Sequence, residues 1–274
     1  MPRVFDCFTF FNELDILEIR LAELDPLVDH FVIVEATRTF TAKPKPLYFA
    51  DSRQRYERYA HKIIHVVVDD IPLDAPTHWA REAYQRDAIM RGLTEARPDD
   101  RIIISDCDEI PKPEFLRRAL AFRGLSHRIV AFWCDNYFYR LNLRNDAHDH
   151  RLGPRLLTRG NLTSPQLVRE IQFRFSKRPY LKPLAAPFAS ARASRRTGSW
   201  LWATIFWHGA WHFTNIGDVA AVNLKFSSFS HAGELRFKDL TATELEDKLA
   251  ALTKCPLAEL PGVIQQGRFA HLIA

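Results

Sequence analysis

The first third of the chain alternates between short apolar runs and segments with helical spacing. Val4 to Phe11 is apolar and aromatic and predicts a strand, and Asn12 follows it as an N-cap for a helix. That helix carries leucines at positions 14, 17, 21 and 24. Three later runs predict strands buried on both faces of a parallel sheet, namely FVIVE at 31–35, KIIHVVV at 62–68 and RIIIS at 101–105.

The connections between these runs predict the remaining elements. Residues 37–49 contain prolines and mixed polarity and predict a long loop, whereas 78–93 has helical spacing. Pro111 and Pro113 are expected to start a further helix. After a strand at 130–133 the pattern loosens, until TATE at 241–244 gives a capping box. Alternating strands and helices predict a doubly wound α/β fold, mostly parallel, with helices on both faces.

Composition narrows the class of protein. A chain of 274 residues with 47% hydrophobic and 26% charged residues is expected to form one domain, 1–274, with a regularly patterned half at 1–135 and a less regular half at 136–274. The net charge of +5 favours an anionic partner such as a nucleotide diphosphate, and is too modest to indicate nucleic acid. No signal peptide or transmembrane segment is evident, so we expect a cytoplasmic protein.

An acidic segment follows the run at 101–105. Asp106 and Asp108 flank Cys107, and Glu109 comes next. Two carboxylates at a strand end can hold one hard cation, which predicts Mn²⁺ or Mg²⁺. An isolated pair of this kind more often marks a polar turn, but a third acid beside a buried strand favours the metal, with Glu109 as an orienting neighbour. In doubly wound sheets ligands bind beyond the carboxyl ends of the strands, where Glu35 also falls.

Several blocks of the chain resemble glycosyltransferase family 17, whose eukaryotic members add the bisecting β-1,4-linked N-acetylglucosamine to the core mannose of N-glycans. The blocks are FDCFTFFNELDILEIRLAELDPLVDHFVIVEA at 5–36, TFTAKPKPLYF at 39–49, WAREAYQRDAI at 79–89, RPDDRIIISDCDEIPKPEFL at 97–116, GAWHFTNIG at 209–217 and KFSSFSHAGE at 225–234. The resemblance implies a GT-A-like, Rossmann-type fold and an inverting transfer from a UDP-sugar, with UDP-N-acetylglucosamine expected. By the same resemblance, residues 1–135 would form the nucleotide-sugar-binding half and residues 136–274 the acceptor-side half. The acceptor would be a glycan or glycolipid, and the missing anchor favours a bacterial or viral member.

The same resemblance suggests site residues. His212 would complete the metal shell of Asp106 and Asp108, although a histidine between aromatic residues is more often a core residue. Glu234, in the block at 225–234, is the first candidate for the general base. Glu170 and Asp135, which lie outside the blocks, follow it, and for all three the alternative is a structural or solvated carboxylate. The candidates for donor binding are Asn12, Glu13, Glu35, Lys45, Arg81, Gln85, Arg86 and Asp106. Arg81 and Arg86 could instead be solvated helix charges paired with Glu82 and Asp87. Lys43, Lys45 and Lys225 could either bind phosphate or project into water.

Two other classes of function stay open. A metal-dependent nucleotidyltransferase would share the sheet and the paired aspartates, but the chain has only 10 glycines and no phosphate-binding glycine loop. A non-catalytic module could bind a glycan or a nucleic acid through residues 171–217, which contain seven Lys or Arg and no Asp or Glu.

Overall fold

The structure is a computed structural model that describes residues 1–146, 153–173, 184–228 and 239–274. Its strands are β1 (Val4–Phe10), β2 (His30–Ala36), β3 (Ile63–Val68), β4 (Arg101–Asp106), β5 (Glu109–Pro111), β6 (Arg128–Phe138), β7 (Leu143–Arg144), β8 (Arg155–Thr158), β9 (Trp202–Thr214) and β10 (Thr253–Lys254). Its α-helices are α1 (Leu14–Leu24), α2 (Tyr48–Asp51), α3 (His78–Asp87), α4 (Pro113–Leu120), α5 (Pro165–Arg169), α6 (Ala185–Thr197), α7 (Val219–Ser228), α8 (Ala242–Ala250) and α9 (Gly262–Gln265).

All of the strands named above belong to one sheet. Its order is β10-β7-β6-β8-β4-β1-β2-β3, and β9 pairs with β6 and with β5. Strands β3, β2, β1 and β4 are mutually parallel, β8 runs antiparallel between β4 and β6, and β9 is parallel to β6. The longest ladders are therefore parallel, which confirms the predicted α/β class. The expected boundary between residues 135 and 136 falls inside β6.

Hydrophobic clusters cover both faces of this sheet. On one face Phe8 and Ile103 pack with Leu17 of α1 and Leu116 of α4. On the other, side chains from the alternate strand positions pack with Val168 of α5 and with Ala189 and Ala193 of α6. Alternation along each strand explains the division, because successive side chains point to opposite faces. The prediction of helices on both faces is confirmed.

The register of β1 and β4 decides where the acidic segment lies. Thr9 is opposite Asp106, so both strands end together at the carboxyl edge of the sheet. Ser105 shares the face of α1, and Asp106, one residue later, points towards α3 and α5. Consecutive residues of one strand therefore contact different layers of the protein.

Several predicted elements need correction. The N-cap residue of α1 is Glu13 and not Asn12, because the chain turns into helical geometry one residue later than the sequence suggested. Pro111 ends β5 and only Pro113 begins a helix, since residues 109–111 pair with β9. Strand β6 runs through the expected irregular segment to Phe138 because β9 pairs with it along that length.

Other expectations agree with the structure more closely. The helix expected at 78–93 is α3 followed by a 3₁₀ turn from Ala88 to Leu93, and the loop expected at 37–49 runs into α2 at Tyr48. The capping box is present, with Thr241 and Glu244 bonding reciprocally at the start of α8. Within the described residues, no helix combines the length and apolar character needed to cross a bilayer.

Gly92 shows how closely the 3₁₀ turn approaches the sheet. A Cβ atom added there would overlap Cγ1 of Val32 and lie 3.2 Å from Cγ2 of Val66. We expect Gly92→Ala to lower the free energy of unfolding by about 1–3 kcal/mol, the usual cost of overpacking a core. Urea denaturation measures this difference in the free energy of unfolding. Gly262→Ala is the control, since its Cβ would meet Glu23 at an ordinary 3.4 Å, and equal losses in both variants would contradict this account.

Candidate functional site

The acidic segment is held from beneath by one buried side chain, Arg20 of α1. Its Nε and Nη2 donate to the two carboxylate oxygens of Asp6 at 2.7 and 2.6 Å. Its Nη1 donates to the carbonyl oxygens of Asp106, Cys107 and Glu109 at 3.0, 3.1 and 2.7 Å. The guanidinium thus fixes the backbone of the loop that carries the candidate ligands.

The remaining carbonyl of this loop is also used. The carbonyl oxygen of Asp108 accepts from the amide of Phe213 at 2.9 Å, and Glu109 is opposite His212 in the β5–β9 ladder. Buried backbone groups are costly when unpaired, so these bonds define a single loop conformation. Within it the Cys107 side chain points into the core, and the acidic side chains on either side point outwards from it.

Asp106 lies between two arginines. Its Oδ1 accepts from Arg86 at 3.0 Å and its Oδ2 accepts from Arg169 at 2.8 Å. Arg169 also donates to Glu109 at 2.6 Å, and the second oxygen of Glu109 accepts from the Asp106 amide at 3.3 Å. Glu109 is buried and positions Arg169 and the loop, which agrees with its expected orienting role.

Asp108 has a different set of neighbours. Its Oδ2 accepts from Lys225 of α7 at 2.9 Å, and its Oδ1 lies 3.6 Å from Nε2 of His212. The other ring nitrogen of His212, Nδ1, bonds to Oδ1 of Asn136 at 2.8 Å. In the neutral ring, an Nδ1 that donates leaves the electron pair on Nε2, and in the protonated ring both nitrogens donate. Nε2 lies 3.2 Å from Oγ1 of Thr214 and faces Asp108. The histidine is therefore oriented as a metal-binding imidazole would be.

These charges shift the carboxylate pKa values. Burial raises the pKa of Asp106, but the adjacent charges of Arg169 and Arg86 outweigh it and hold the pKa well below its usual range. Burial likewise opposes ionisation of Asp108, and Lys225 and His212 reverse the effect and lower its pKa. Both groups are ionised at neutral pH. Charge balance at the acidic segment does not by itself require a metal, because the chain supplies its own cations.

The candidate donor-binding residues separate into two groups. Arg86 joins the acidic segment, and Glu13 reaches it through Lys225, whose Nζ lies 3.1 Å from Glu13 Oε1. Arg81 and Gln85 instead donate to backbone carbonyls, Arg81 to Phe40, Leu73 and Ala75 and Gln85 to Val34. Arg81 is therefore not a solvated helix charge. Arg86 pairs with Glu82 at 2.6 Å, as the alternative expected, but it is buried and also pairs with Asp106.

Glu35 at the end of β2 and Lys45 in the loop at 37–47 lie close together. The Glu35 carboxylate is fully buried and accepts from the amides of Phe49 and Ala50 and bonds to His65. Lys45 Nζ lies 3.8 Å from Glu35, and burial lowers the pKa of Lys45. The structure gives both residues contacts that hold the loop. The backbone amide of Asn12 donates to the Glu13 carboxylate. A role of Asn12, Glu35 or Lys45 in donor binding stays a prediction.

Two of the three candidate bases belong to the part of the chain that the structure describes. Glu234 lies outside the described residues. Glu170 is exposed and pairs with Arg196 at 2.8 Å. Asp135 bonds to Lys112 at 2.8 Å and to His208 at 2.5 Å, on the face of β6 opposite to Asn136. Burial raises the pKa of Asp135, but these two hydrogen bonds outweigh it and lower the pKa.

Sequence reasoning missed Arg20, Arg169 and Asn136. A signal existed for Arg20, because it interrupts the leucine face of α1 and Asp6 interrupts the apolar run of β1. Arg169 and Asn136 belong to segments without a clear pattern, and only the folded sheet brings them to the acidic loop.

An acidic loop at the carboxyl edge of a mostly parallel sheet, where ligands of such sheets bind, defines a class of α/β protein with a polar ligand site at that edge. The particular family follows from comparison. The family model described as Glycosyltransferase family 17 matches residues 1–155, and the chain belongs to this family.

Curated relatives match a shorter region. β-1,4-mannosyl-glycoprotein 4-β-N-acetylglucosaminyltransferase from Rattus norvegicus is 35% identical over 117 residues, which cover 40% of this chain and 22% of the relative. The Homo sapiens enzyme of the same name gives the same identity and coverage. The chain therefore matches 22% of the length of these relatives.

Solved structures give more distant similarity. A mycobacterial protein and the M. tuberculosis glucosyl-3-phosphoglycerate synthase are each 14% identical, with TM-scores of 0.38 and 0.36. Both matches cover 72% of this chain, and they cover 76% and 81% of the respective structures.

Removal of the Arg20 guanidinium tests its place beneath the loop. We expect Arg20→Met to lower the free energy of unfolding by about 3–5 kcal/mol, because Asp6 becomes a buried charge without its partner. Arg91→Met is the control, since Arg91 and Asp70 form an exposed pair at 2.9 Å and such pairs contribute about 0–1 kcal/mol. Urea unfolding compares them, and similar losses would contradict the assignment.

The lowered pKa of Asp106 predicts a pH dependence. The pKa of Asp in an unfolded chain is about 4. This carboxylate therefore contributes its full stability above that pH, and the contribution is lost as the pH falls from there through the lower pKa of the folded state. We expect Asp106→Asn to lose less unfolding free energy than the wild type between pH 5 and pH 3, measured by urea denaturation. Equal losses in the two proteins would show that Asp106 does not contribute.

Proposed function

We propose that this chain is an inverting, metal-dependent glycosyltransferase that moves N-acetylglucosamine from UDP-N-acetylglucosamine to a hydroxyl group of a glycan or glycolipid. The observation that carries the proposal is the pair formed by Asp108 and His212, 3.6 Å apart at the carboxyl edge of the sheet. Family membership supplies the class of reaction, and the names of the curated relatives support N-acetylglucosamine as the sugar.

The donor atoms of this pair fit a divalent cation. Two ligands bound at about 2.0–2.2 Å to one ion lie roughly 3–4 Å apart, and the Asp108 oxygen and the His212 nitrogen have such a separation. The described residues hold no group of three or more His, Cys, Asp or Glu side chains arranged for a metal. We therefore assign Asp108 and His212 as the protein ligands of the cation. Asp106 stays a predicted third ligand, which would have to release one of the arginines that its two oxygens bind.

A cation bound there would neutralise charge that develops on the departing diphosphate. The chain's own residues contribute in the same direction. Arg86, Arg169 and Lys225 surround the acidic segment, and positive groups held in place favour an anionic donor without reorganisation at the moment of reaction. Asn136 keeps His212 in the required tautomer.

Inversion requires a base near the acceptor hydroxyl, and the candidates differ in suitability. The lowered pKa of Asp135 makes it a weak proton acceptor, and its side chain lies on the face of β6 opposite to the one that carries Asn136. Glu170 is exposed and paired with Arg196. Glu234 therefore remains the first candidate for the base.

A panel of nucleotide-sugars tests the reaction without knowledge of the acceptor. With Mn²⁺ present, we expect UDP-N-acetylglucosamine to bind and to be slowly hydrolysed with release of UDP. Incubation with UTP and a sugar phosphate should release no pyrophosphate. Pyrophosphate release would favour a nucleotidyltransferase, and absence of binding by every UDP-sugar would contradict the proposal.

Substitution of Asp108 tests the metal site. We expect Asp108→Asn to reduce Mn²⁺-dependent donor binding more than the roughly 10–100-fold that is lost when an outer-shell partner is removed, while the fold is retained. Isothermal titration calorimetry measures binding, and circular dichroism checks folding. The control is Asp70→Asn, an exposed carboxylate paired with Arg91. Donor binding by Asp108→Asn equal to that of the control would remove Asp108 from the site.

A further inference from the structure

Lys225 binds the same carboxylate, that of Asp108, to which the proposed divalent cation would bind. Its Nζ lies 2.9 Å from Asp108 Oδ2 and 3.1 Å from Glu13 Oε1, and its side chain is 20% exposed. We propose that Lys225 is an exchangeable internal cation, which holds Asp108 before a divalent cation binds and then moves to the donor diphosphate. The inference rests on the proposed function and assigns Lys225 as a positioning residue within it.

Competition follows from the geometry of one carboxylate. Lys225 bonds to Oδ2 of Asp108, and His212 faces Oδ1 of the same group. A cation held by Asp108 and His212 would therefore lie within a few ångströms of the ammonium group. Like charges within about 4–6 Å disfavour each other, so each of the two cations weakens the binding of the other.

Glu13 gives the ammonium group a second anchor. The Oε2 atom of Glu13 accepts from the amides of Phe11 and Asn12 at 3.1 Å, which directs Oε1 towards Lys225. A lysine ammonium has three donors on a flexible four-carbon stem, so it can keep the Glu13 contact while it exchanges Asp108 for another anion. In the proposed reaction the nearest new anion would be the diphosphate of the donor, if a cation bound by Asp108 and His212 holds it there.

The helix that carries Lys225 is suited to such an adjustment. Residues Val222 and Phe226 of α7 pack in a small cluster with Tyr139, Leu240 and Leu245, separate from the two large cores of the sheet. Movement of α7 would therefore leave those cores intact. The amide of Phe40 donates to the carbonyl of Ser228 at 3.2 Å, so the loop at 37–47 contacts the end of the same helix.

The test compares two ligands whose binding should change in opposite directions. We expect Lys225→Met to bind Mn²⁺ alone roughly tenfold more tightly than the wild type, because the competing charge is absent, and to bind UDP in the presence of saturating Mn²⁺ roughly tenfold more weakly. Electron paramagnetic resonance of free Mn²⁺ measures the first, and calorimetry with UDP measures the second. Unchanged or weaker Mn²⁺ binding by the variant would overturn the exchange.

Two controls separate the charge from its position. Lys225→Arg keeps a cation and should retain wild-type Mn²⁺ affinity within about threefold. Lys248→Met removes an exposed lysine from α8 and should change neither affinity. If the wild type binds Mn²⁺ through Asp108 but Lys225→Met behaves like Lys248→Met, the inference fails and the proposed function stands. If neither the wild type nor Lys225→Met binds Mn²⁺, both fail.

A measurement on the wild-type chain covers the case in which Lys225→Met does not fold. Lysine acylation followed by peptide mass spectrometry reports the accessibility of each ammonium group. We expect Mn²⁺ alone to increase modification of Lys225, since the ammonium leaves Asp108, and Mn²⁺ with UDP to protect it. Modification of Lys225 that is the same in all three states would overturn the proposal, and Lys248 serves as the internal reference.

Discussion

The buried contact between Arg20 and Asp6 places the guanidinium that fixes the backbone of the acidic loop, and the positions of the acidic side chains depend on it. One guanidinium neutralises a carboxylate in β1 and donates hydrogen bonds to three carbonyl oxygens of the loop after β4. A buried ion pair of this kind is weak evidence for stability, since apolar residues of equal volume often replace it without loss. Its value lies in position, because no apolar side chain could fix the loop through its carbonyl groups. The direction of each acidic side chain follows from that fixed backbone.

The acidic segment is divided between two charge environments. Asp106 and Glu109 share Arg169, and Arg86 completes the pairing of Asp106. Asp108 points away from this cluster towards His212 and Lys225. The first group is saturated by permanent guanidinium charges, which bind carboxylates through fixed and directional donors, whereas the second contains a flexible ammonium group and an imidazole. Exchange of one cation for another is therefore easier at Asp108 than at Asp106.

The α/β class and its central strands could be predicted because β1 to β4 are continuous apolar runs, and a strand buried on both faces requires such a run. The acidic loop was visible for the same reason, as polar residues directly after a buried strand. Arg169 and Asn136 could not be found, since their partners are about 60 and 76 positions away and no local spacing records a contact of that range. Pro111 was misplaced because pairing with β9 makes residues 109–111 a strand, and such pairing depends on residues 210–212.

What the acidic loop can bind depends on the directions in which its successive side chains point and not on the number of carboxylates. Two aspartates separated by one residue in an extended strand would share a face, but the strand ends at Asp106 and the chain turns at Cys107. Cys107 points into the core, and the turn separates Asp108 from the arginines that bind Asp106. If both aspartates faced Arg86 and Arg169, neither would offer an oxygen to a histidine of β9. The small buried residue between them therefore matters as much as the carboxylates, since it allows one acid to stabilise the fold and leaves the other beside His212.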